Sequence, residues 1–455
     1  MSDKLVAVLD IGKTHSRLDL FEPAGSAAVW SSRYCNRILH TRAWRELDIG
    51  GIESWLLQSL SSTPYRDRID IIVPIAHGAA AVLIDANGEV LTAPDYEDDC
   101  YERANPSYEA ARDPYRCTCS PTMPLGLNLG RQWSFLQQFH PSLFDRTAHL
   151  LLYPQFWAWR LSGVLASEVT SLGCHSDLWR PAEKAFSTLA RESGWTQLLP
   201  PLRAANDVLG PVSSEIVRAT GLDPRCRVVC GIHDSNASYL RFLKGRNRYE
   251  PFTVVSSGTW TVVMASQTDL SRLREDRTML ANVNVVGEPV ATARFMGGRE
   301  YAAIAGCEDV PEAAALDSVL QRFVMAYPGS GGKDPVVKDA ASIGRAERVA
   351  LATLYCALMT DLLIEQLGAS GEVFVDGPLG KNRFFAPLLA ALGENRRVTL
   401  ADASAPNPGL WLAGVLQAET AAEEPAAVTE SELPVATVAA LDSYRDRWRG
   451  SFGPG

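Results

Sequence analysis

Four short segments of the sequence carry residues that could bind phosphate or move a proton. The first is Asp10-Ile11-Gly12-Lys13-Thr14, whose end is typical of a P-loop. A P-loop needs another glycine five residues before its Gly-Lys pair, and the chain has Ala7 there. The apolar run before Asp10 and the alternating residues from Arg17 to Phe21 predict strand, tight turn, strand instead. A hairpin tip with a carboxylate, a glycine, a lysine and hydroxyls could cradle a phosphate and a metal ion.

The second segment places a carboxylate at the start of a predicted helix. A short buried strand, CRVVCG from Cys226, delivers Gly231-Ile232-His233-Asp234, and the small residues that follow open a helix. A lone aspartate in this position is most often a helix N-cap. A carboxylate in this position could also orient a bound hydroxyl group and accept its proton, so the residues alone leave Asp234 open between a helix cap and a proton acceptor.

The third and fourth segments are glycine turns that follow predicted strands. FTVVSSGTWTVVM, from Phe252, again predicts strand, small polar turn, strand, so Ser256-Ser257-Gly258-Thr259-Trp260 would form a second hairpin tip. Hydroxyls and backbone N–H groups at such a tip can bind phosphates without net positive charge. The fourth segment, Val375 to Arg383, is a strand that ends in a glycine turn, and it follows a predicted helix from Arg345 to Leu367. Two similar α/β halves facing a cleft are the natural inference.

Composition limits the classes of partner. The chain has 455 residues, enough for two to three domains, and its 46% hydrophobic content is typical of a soluble globular protein. A net charge of -10 argues against nucleic acid and against anionic membranes as partners. No membrane span or signal peptide is predicted, so we expect a cytoplasmic protein whose nine cysteines are reduced.

Together the four segments resemble the FGGY family of carbohydrate kinases, and the resemblance covers nearly the whole chain. It implies an α/β fold of two actin-like (ribonuclease H-like) domains facing a central cleft, as in actin and hexokinase. We expect an N-terminal domain, residues 1–243, with the first phosphate loop, the sugar site and the catalytic aspartate. The C-terminal domain, residues 244–455, would carry the second phosphate loop and the adenosine site.

The resemblance also assigns roles to residues. Asp234 matches the family's catalytic base, and Asp10 and Asp234 would lie near Mg²⁺, which takes one or two carboxylates and keeps several waters. The residues expected to bind ATP are Gly12, Lys13, Thr14, Ser257, Gly258, Thr259, Gly377, Pro378 and Asn382. Two of these depart from the family pattern. Lys13 stands where many members have a small hydroxyl residue and could contact phosphate or reach solvent, and Pro378 replaces the second glycine of the adenosine motif.

The sequence defines the residues that would bind the sugar less clearly. His77, in Ile75-Ala76-His77-Gly78, stands where many members contact the substrate, and it could equally be a buried structural histidine. Tyr96 and Glu97 fall where relatives carry polar groups that reach the substrate, and Asp234 would contact the reacting hydroxyl. We have no role for the glycine-rich segment Gly297-Gly298-Arg299-Glu300 beyond a possible cleft loop.

The sequence thus predicts an ATP-dependent carbohydrate kinase that transfers the γ-phosphate to a hydroxyl of a small sugar. The expected substrate is a ketose or a polyol, including deoxy-ketoses such as rhamnulose or fuculose. Two alternatives keep the same superfold: a chaperone-like ATPase and a non-catalytic sugar sensor. Retention of Asp10, Asp234 and both phosphate loops argues against the sensor. A homodimer is possible, and the sequence leaves the oligomeric state and the sugar open.

Overall fold

The computed structural model describes residues 4–23, 25–40, 42–243, 250–306, 310–329, 334–338, 342–401, 407–414, 427–428, 433 and 435–451. The chain forms two compact units. Unit 1 comprises residues 1–245, 274–289 and 404–421, and unit 2 comprises residues 246–273, 290–403 and 422–455. The expected domain boundary after residue 243 falls at residues 244–249, outside the described residues.

The strands and helices follow one another along both units. The strands are β1 (Leu5–Ile11), β2 (His15–Phe21), β3 (Ala28–Cys35), β4 (Ile38–Leu39), β5 (Glu46–Leu47), β6 (Ile69–Ala76), β7 (Ala81–Ile84), β8 (Val90–Thr92), β9 (His149–Leu152), β10 (Trp179–Arg180), β11 (Ala185–Phe186), β12 (Val208–Pro211), β13 (Arg227–Val229), β14 (Ile232–His233), β15 (Phe252–Ser257), β16 (Thr261–Ala265), β17 (Leu280–Val283), β18 (Pro289–Phe295), β19 (Ala326–Tyr327), β20 (Val336–Val337), β21 (Glu372–Asp376), β22 (Val398–Leu400) and β23 (Ala427–Val428). The helices are α1 (Ile49–Ser62), α2 (Asn105–Ala111), α3 (Tyr115–Thr118), α4 (Leu129–Phe139), α5 (Pro141–Phe144), α6 (Tyr153–Ser162), α7 (Val169–Leu172), α8 (Thr188–Glu192), α9 (Ser214–Thr220), α10 (Asp234–Leu243), α11 (Gly297–Ala305), α12 (Ala313–Gln321), α13 (Arg345–Leu367), α14 (Phe385–Leu392), α15 (Pro408–Leu412) and α16 (Val435–Gly450).

The main sheet of unit 1 has β1 and β6 at its centre. Its order is β12-β13-β6-β1-β2-β3, and β14 also pairs with β6. β1 and β6 are parallel, and both read as nearly continuous apolar runs because helices cover both faces of a parallel pair. The edge strand β3 alternates between more and less exposed residues, as a half-covered strand does.

The sheet of unit 2 repeats the pairing pattern of unit 1. The six strands of this sheet that belong to unit 2 run in the order β18-β16-β15-β21-β22-β23. In unit 1 the pairings from β3 to β12 are antiparallel, antiparallel, parallel, parallel and antiparallel. From β18 to β23 the same five pairings recur in the same order. The predicted repeat of an α/β unit is therefore confirmed, and each predicted hairpin lies beside a central parallel strand.

Helix α13 is the core helix of unit 2. Its bounds, Arg345–Leu367, are those predicted from its apolar spacing. The helix is long and apolar enough to cross a membrane by length and composition alone, but 83% of its most apolar window is buried inside the protein. It packs against α11, α12 and α14 of the same unit. Its apolar character is therefore accounted for by packing within unit 2.

Candidate active site

Three predicted site residues lie at, or directly after, the carboxyl ends of adjacent strands in unit 1. Asp10 lies opposite Ile75 in the β1–β6 pair, and β14 runs beside the end of β6, with His233 opposite Ala76. His77 comes directly after β6, and Asp234 comes directly after β14 and begins α10. Because carboxyl ends of parallel strands share one edge of the sheet, Asp10, His77 and Asp234 meet there. Ligands of open α/β sheets bind at this edge.

Asp10 sits among charges of both signs. Its carboxylate is 3.6 Å from the Arg17 guanidinium, which lies 2.8 Å from Asp19. Burial raises the pKa of Asp10 to about 6, Arg17 opposes the rise, and the charge of Asp234 adds to it. Asp10 and Asp234 are thus close enough to repel each other, and a divalent cation between them would relieve that repulsion. The carboxylate pair fits a site for Mg²⁺.

Asp234 is oriented by its neighbours in α10 and β14. Its Oδ1 accepts hydrogen bonds from the Ser235 backbone N–H at 2.5 Å and from the Ser235 hydroxyl at 3.2 Å. The Nε2 atom of His233 lies 3.2 Å from the same oxygen. The side chain of Asp234 is 40% exposed. A carboxylate that is fixed on one side and open on the other is suited to take a proton from a bound hydroxyl.

Lys13 turns toward the segment that carries Tyr96 and Glu97. Its ammonium lies 2.5 Å from Asp95 Oδ1 and 3.4 Å from Glu97 Oε2, and 4.9 Å from the centre of the Tyr96 ring. Asp95 is fully buried, and Arg45 approaches its other oxygen at 3.2 Å. Lys13 therefore links the first hairpin tip to the segment from Asp95 to Glu97. The sequence had left phosphate and solvent open for this side chain, and its phosphate contact stays a prediction.

Other backbone and side-chain contacts hold the first tip in shape. The Gly12 N–H donates to the His15 carbonyl at 3.0 Å, which closes the turn. The amide of Asn36 donates to the Gly12 carbonyl at 2.8 Å, and its backbone N–H donates to the Thr14 carbonyl at 2.9 Å. The Thr14 hydroxyl lies 3.0 Å from His15 Nδ1. Asn36, on the neighbouring strand connection, is thus a support that the sequence did not reveal.

His77 and Tyr96 pack against each other at the sheet edge. The His77 ring lies 4.9 Å from the Tyr153 ring and 5.8 Å from the Tyr96 ring, and its Nδ1 is 2.9 Å from the Gly78 carbonyl. Burial lowers the pKa of His77 and raises that of Tyr96 to about 12, with the charge of Asp234 among the influences on both. A neutral His77 that donates from Nδ1 to the Gly78 carbonyl keeps Nε2 as an acceptor. This geometry agrees with a structural role for His77 and also with a role in binding a hydroxyl group.

In unit 2 the second hairpin tip closely approaches the start of α11, at Gly298, and the turn after β21, at Gly377. A Cβ atom on Gly377, whose φ is +84°, would lie 2.0 Å from the Ser257 carbonyl oxygen, and one on Gly298 would lie 2.3 Å from the Gly258 carbonyl oxygen. The Ser257 hydroxyl donates to the Asp376 carbonyl and accepts from the Leu379 N–H. Ser257 therefore joins the tip to the turn that follows β21, and its hydroxyl proton is used in that contact.

These loops border a cavity of about 650 Å³ in unit 2. Its lining is Ser257, Gly258, Thr259, Gly298, Arg299, Tyr301, Ala302, Val310, Pro311, Pro378, Leu379, Lys381 and Asn382. Five of the residues predicted to bind nucleotide are among them. Gly377 stands beside the lining, where it allows the close approach of the backbones. Asn382 donates to Thr353 Oγ1 at 2.9 Å, so its amide is partly fixed by the protein.

The sequence missed several residues that shape both sites. Asp95 stands directly before Tyr96 and Glu97, and only its complete burial beside two cations marks it out. Gly298 lies in a segment to which no role was assigned, and the structure places it against the second hairpin tip. Its signal in the sequence was the pair Gly297-Gly298 at a strand-to-helix junction, which indicates close backbone approach.

Comparisons with known proteins agree with this architecture. Residues 249–423 match the family model described as carbohydrate kinase FGGY, C-terminal domain. A carbohydrate kinase from Novosphingobium aromaticivorans is similar over 99% of both chains, with 33% sequence identity and a TM-score of 0.88. Ligand-bound xylulose kinase from Lactobacillus acidophilus covers 98% of this chain and 97% of its own, with 14% identity and a TM-score of 0.76.

A curated relative matches over a shorter stretch. L-fuculokinase from Haemophilus influenzae is 27% identical over 137 residues, which is 29% of this chain and 27% of the relative. The full-length likeness and the family model, together with the two repeated α/β units, confirm the predicted fold class. The chain belongs to the FGGY family of carbohydrate kinases.

Proposed function

We propose that this carbohydrate kinase transfers the γ-phosphate of ATP to a hydroxyl of an uncharged ketose or polyol, including deoxy-ketoses. Carbohydrate kinases of this family use ATP, and the choice of acceptor is what the proposal adds. The observation that carries it is the charge balance around Asp234 at the carboxyl edge of the sheet in unit 1.

Three cations that the contacts above place at this edge are already paired with carboxylates. Lys13 and Arg45 both lie beside Asp95 and Glu97, and Arg17 lies between Asp10 and Asp19. Asp10 and Asp234 supply further negative charge. A sugar acid would therefore bring its carboxylate toward carboxylates, at a cost that a neutral hydroxylated molecule avoids.

The polar side chains of the edge suit hydroxyl groups. Tyr96 keeps its proton, since its pKa is raised to about 12, and can donate to a sugar oxygen. His77 Nε2 can accept from a sugar hydroxyl, and Glu97, 45% exposed, can accept another. A site with both donors and acceptors of this kind discriminates strongly between hydroxyl patterns, because a missing partner leaves a polar group unpaired.

Asp234 would act as the general base. Its open oxygen accepts the hydroxyl proton as the new O–P bond forms, while the bond from the γ-phosphorus to the bridging oxygen breaks and leaves ADP. Asp10 and Asp234 would hold Mg²⁺, which offsets negative charge on the phosphates when it is bound. Both side chains fit that role because carboxylate oxygens are ligands that Mg²⁺ takes, and the cation would offset the repulsion between the two carboxylates.

The cavity of unit 2 would hold the nucleotide. Tyr301, Val310 and Pro311 give it apolar walls for a base, and backbone at Gly258 and Thr259 can donate to phosphate oxygens. Pro378 opens a 3₁₀ turn, Pro378–Lys381, at the cavity wall. We infer from this division that residues 1–243 supply the sugar and acid-base groups and residues 244–455 the nucleotide groups.

A coupled assay of ADP release tests the proposal. Ketoses, pentitols and deoxy-ketoses would be compared with an aldonate of the same chain length. We expect kcat/KM for at least one neutral acceptor to exceed that for the aldonate by roughly 100-fold or more, the scale of leaving a charge unpaired. A preference for the aldonate would overturn the charge argument. ATP turnover that no acceptor raises would favour the chaperone-like ATPase.

A further inference from the structure

Arg299 is a cationic residue of the cavity in unit 2 that the proposed reaction does not use. It belongs to the glycine-rich segment Gly297 to Glu300, lies in the first turn of α11 and lines the cavity. The residue before it, Gly298, donates its backbone N–H to the Thr259 carbonyl at 3.2 Å. The backbone that carries Arg299 is therefore fixed directly beside the second hairpin tip.

The guanidinium group of Arg299 is held by contacts that a stronger acceptor could replace. Its Nε donates to Asp334 Oδ1 at 3.2 Å, and its Nη2 lies 3.1 Å from the same oxygen. Its Nη1 is 3.9 Å from the Met296 sulfur, which is a weak acceptor. The side chains of Arg299 and Asp334 are 51% and 58% exposed, and exposed ion pairs contribute little to stability. A single carboxylate oxygen thus occupies an edge of the guanidinium group that could bind two oxygens.

The neighbouring hairpin tip has no charged side chain with which to bind a nucleotide. From Ser256 to Trp260 the side chains are uncharged, so phosphates would meet hydroxyls and backbone N–H groups there. A guanidinium group matches phosphate geometry, because two of its N–H groups can donate to two oxygens at once. The phosphate chain of a nucleotide also carries more negative charge than one carboxylate. It is therefore a better partner for Arg299 than Asp334 is.

We propose that Arg299 binds the phosphate chain of the nucleotide, and that it exchanges the Asp334 carboxylate for phosphate oxygens when a nucleotide enters the cavity. The inference rests on the proposed role of this cavity as the nucleotide site. Asp334 competes with the nucleotide for the guanidinium group, so the apparent affinity is reduced to the fraction of molecules in which that group is free. Arg299 supplies the positive charge that the side chains of the second tip lack.

Calorimetry with adenosine, ADP and a non-hydrolysable ATP analogue tests the exchange, because adenosine carries no phosphate. Arg299→Met removes the guanidinium group. We expect it to weaken binding of ADP and of the ATP analogue roughly 10- to 100-fold, the scale of a hydrogen bond to a charged group, and to change adenosine affinity less than threefold. Arg299→Lys keeps the charge without the two-pronged geometry and should lose less. Equal losses for all three ligands would overturn the inference.

Asp334→Asn distinguishes the exchange from a purely structural ion pair. It removes the competing charge, so the affinity for ADP and the ATP analogue should rise about two- to fivefold, with adenosine affinity unchanged. An unchanged or lower affinity for the two phosphorylated ligands would overturn the proposal. Arg274→Met is the matched control: Arg274 lies 2.8 Å from Asp276 in an ion pair that is also exposed. All three affinities should stay within about twofold of wild type in this control.

Two further variants separate failure of this inference from failure of the proposed nucleotide site. Tyr301→Ala removes an apolar wall of the cavity and should weaken adenosine binding roughly 10-fold, the scale of one contact between a base and an aromatic ring. If it does so while Arg299→Met spares ADP affinity, only the role of Arg299 is wrong. If neither variant changes any affinity, the cavity does not bind the nucleotide. Lys381 also lines the cavity. A loss of ADP affinity in Lys381→Met but not in Arg299→Met would overturn the inference and assign the phosphate contact to Lys381.

Discussion

The two hairpin tips share one backbone design and differ in chemistry. In the first, β1 and β2 are joined by Gly12 to Thr14, and in the second, β15 and β16 are joined by Gly258 to Trp260. Each hairpin lies beside a central parallel strand, β6 or β21. The first tip is surrounded by charges, with Asp10 beside Arg17 and Lys13 beside Asp95. Within the second tip, Ser256 to Trp260, every side chain is uncharged.

The difference fits the two roles that we propose for the tips in phosphoryl transfer. At the first tip, side-chain charges lie where a proton and a metal ion would be handled. At the second, glycines let backbones approach, as at Gly298 and Gly377, and a cavity opens beside them. We therefore expect charge changes around the first tip to affect catalysis and steric changes around the second tip to affect nucleotide binding.

The largest effect should come from Asp234→Asn, in the charged group of unit 1 that lies near the first hairpin tip. Losing the general base should lower kcat by roughly 10² to 10⁴, because the amide cannot accept the hydroxyl proton. ATP affinity, measured by calorimetry, should stay nearly unchanged. Asp207→Asn makes the same change at an exposed ion pair with Arg203 and should leave kcat unaltered. An Asp234→Asn enzyme within a few-fold of wild type at saturating sugar would remove this residue from catalysis.

Beside the second hairpin tip, Gly298→Ala should weaken ATP binding roughly 10- to 100-fold. Its Cβ would lie 2.3 Å from the Gly258 carbonyl oxygen, and relieving such overpacking costs about 1 to 3 kcal/mol. Calorimetry with an ATP analogue measures the change. Gly380→Ala is the control, since the nearest atom to its Cβ would be 3.6 Å away. Unchanged affinity in Gly298→Ala would show that the second tip tolerates displacement.

Substitution of Lys13 tests whether the first hairpin tip helps to bind the sugar or the phosphates of the nucleotide. Lys13→Met leaves buried Asp95 with one cation fewer, so the Tyr96 segment should loosen and the KM for sugar should rise about 10-fold. ATP affinity should change less than threefold. Lys184→Met, at an exposed ion pair with Glu288, controls for the loss of a surface charge. A 10- to 100-fold loss of ATP affinity would show instead that Lys13 reaches a phosphate when nucleotide binds.

The smallest effect concerns pH and Asp10. Its folded pKa of about 6 exceeds the ordinary 3.8, so the folded state favours the protonated form. The stability gained from that proton is complete below pH 3.8 and is lost as pH rises through 6. Asp10→Asn should therefore raise the Tm of the ligand-free protein by about 1 to 2 °C at pH 7.5 and by nothing near pH 4, a small gain because the side chain is 38% exposed.

Activity should increase with pH over the same range in which the stability contribution of Asp10 is lost. Protonated Asp10 cannot hold a cation, so the Mg²⁺ concentration needed for half-maximal activity should increase as pH falls below 6. Thermal scans of both proteins at pH 4 and 7.5, with Mg²⁺ titrations of the wild type at pH 5.5 and 7.5, check both parts. A Tm difference that is equal at the two pH values would contradict the raised pKa.

The sequence by itself determined the local elements around both sites. Both hairpins, the helix Arg345–Leu367 and the start of α10 at Asp234 lie where the sequence predicted them. These features follow from alternation of apolar residues, from helical spacing and from glycine turns, which act over a few neighbouring residues. The order of the phosphate loops around Asp234 was sufficient to indicate the family.

Only the tertiary structure decided which groups those elements bring together. Lys13 and Asp95 are 82 positions apart, and Gly78 and His233 meet only because β14 pairs with the end of β6. Likewise, the partner of Ser257 is the carbonyl of Asp376, on a strand that is distant in sequence. Local patterns fix where a strand ends, but the contacts of its last side chain depend on which other strand end lies beside it. The direction of Lys13 and the orientation of Asp234 are therefore properties of strand pairing.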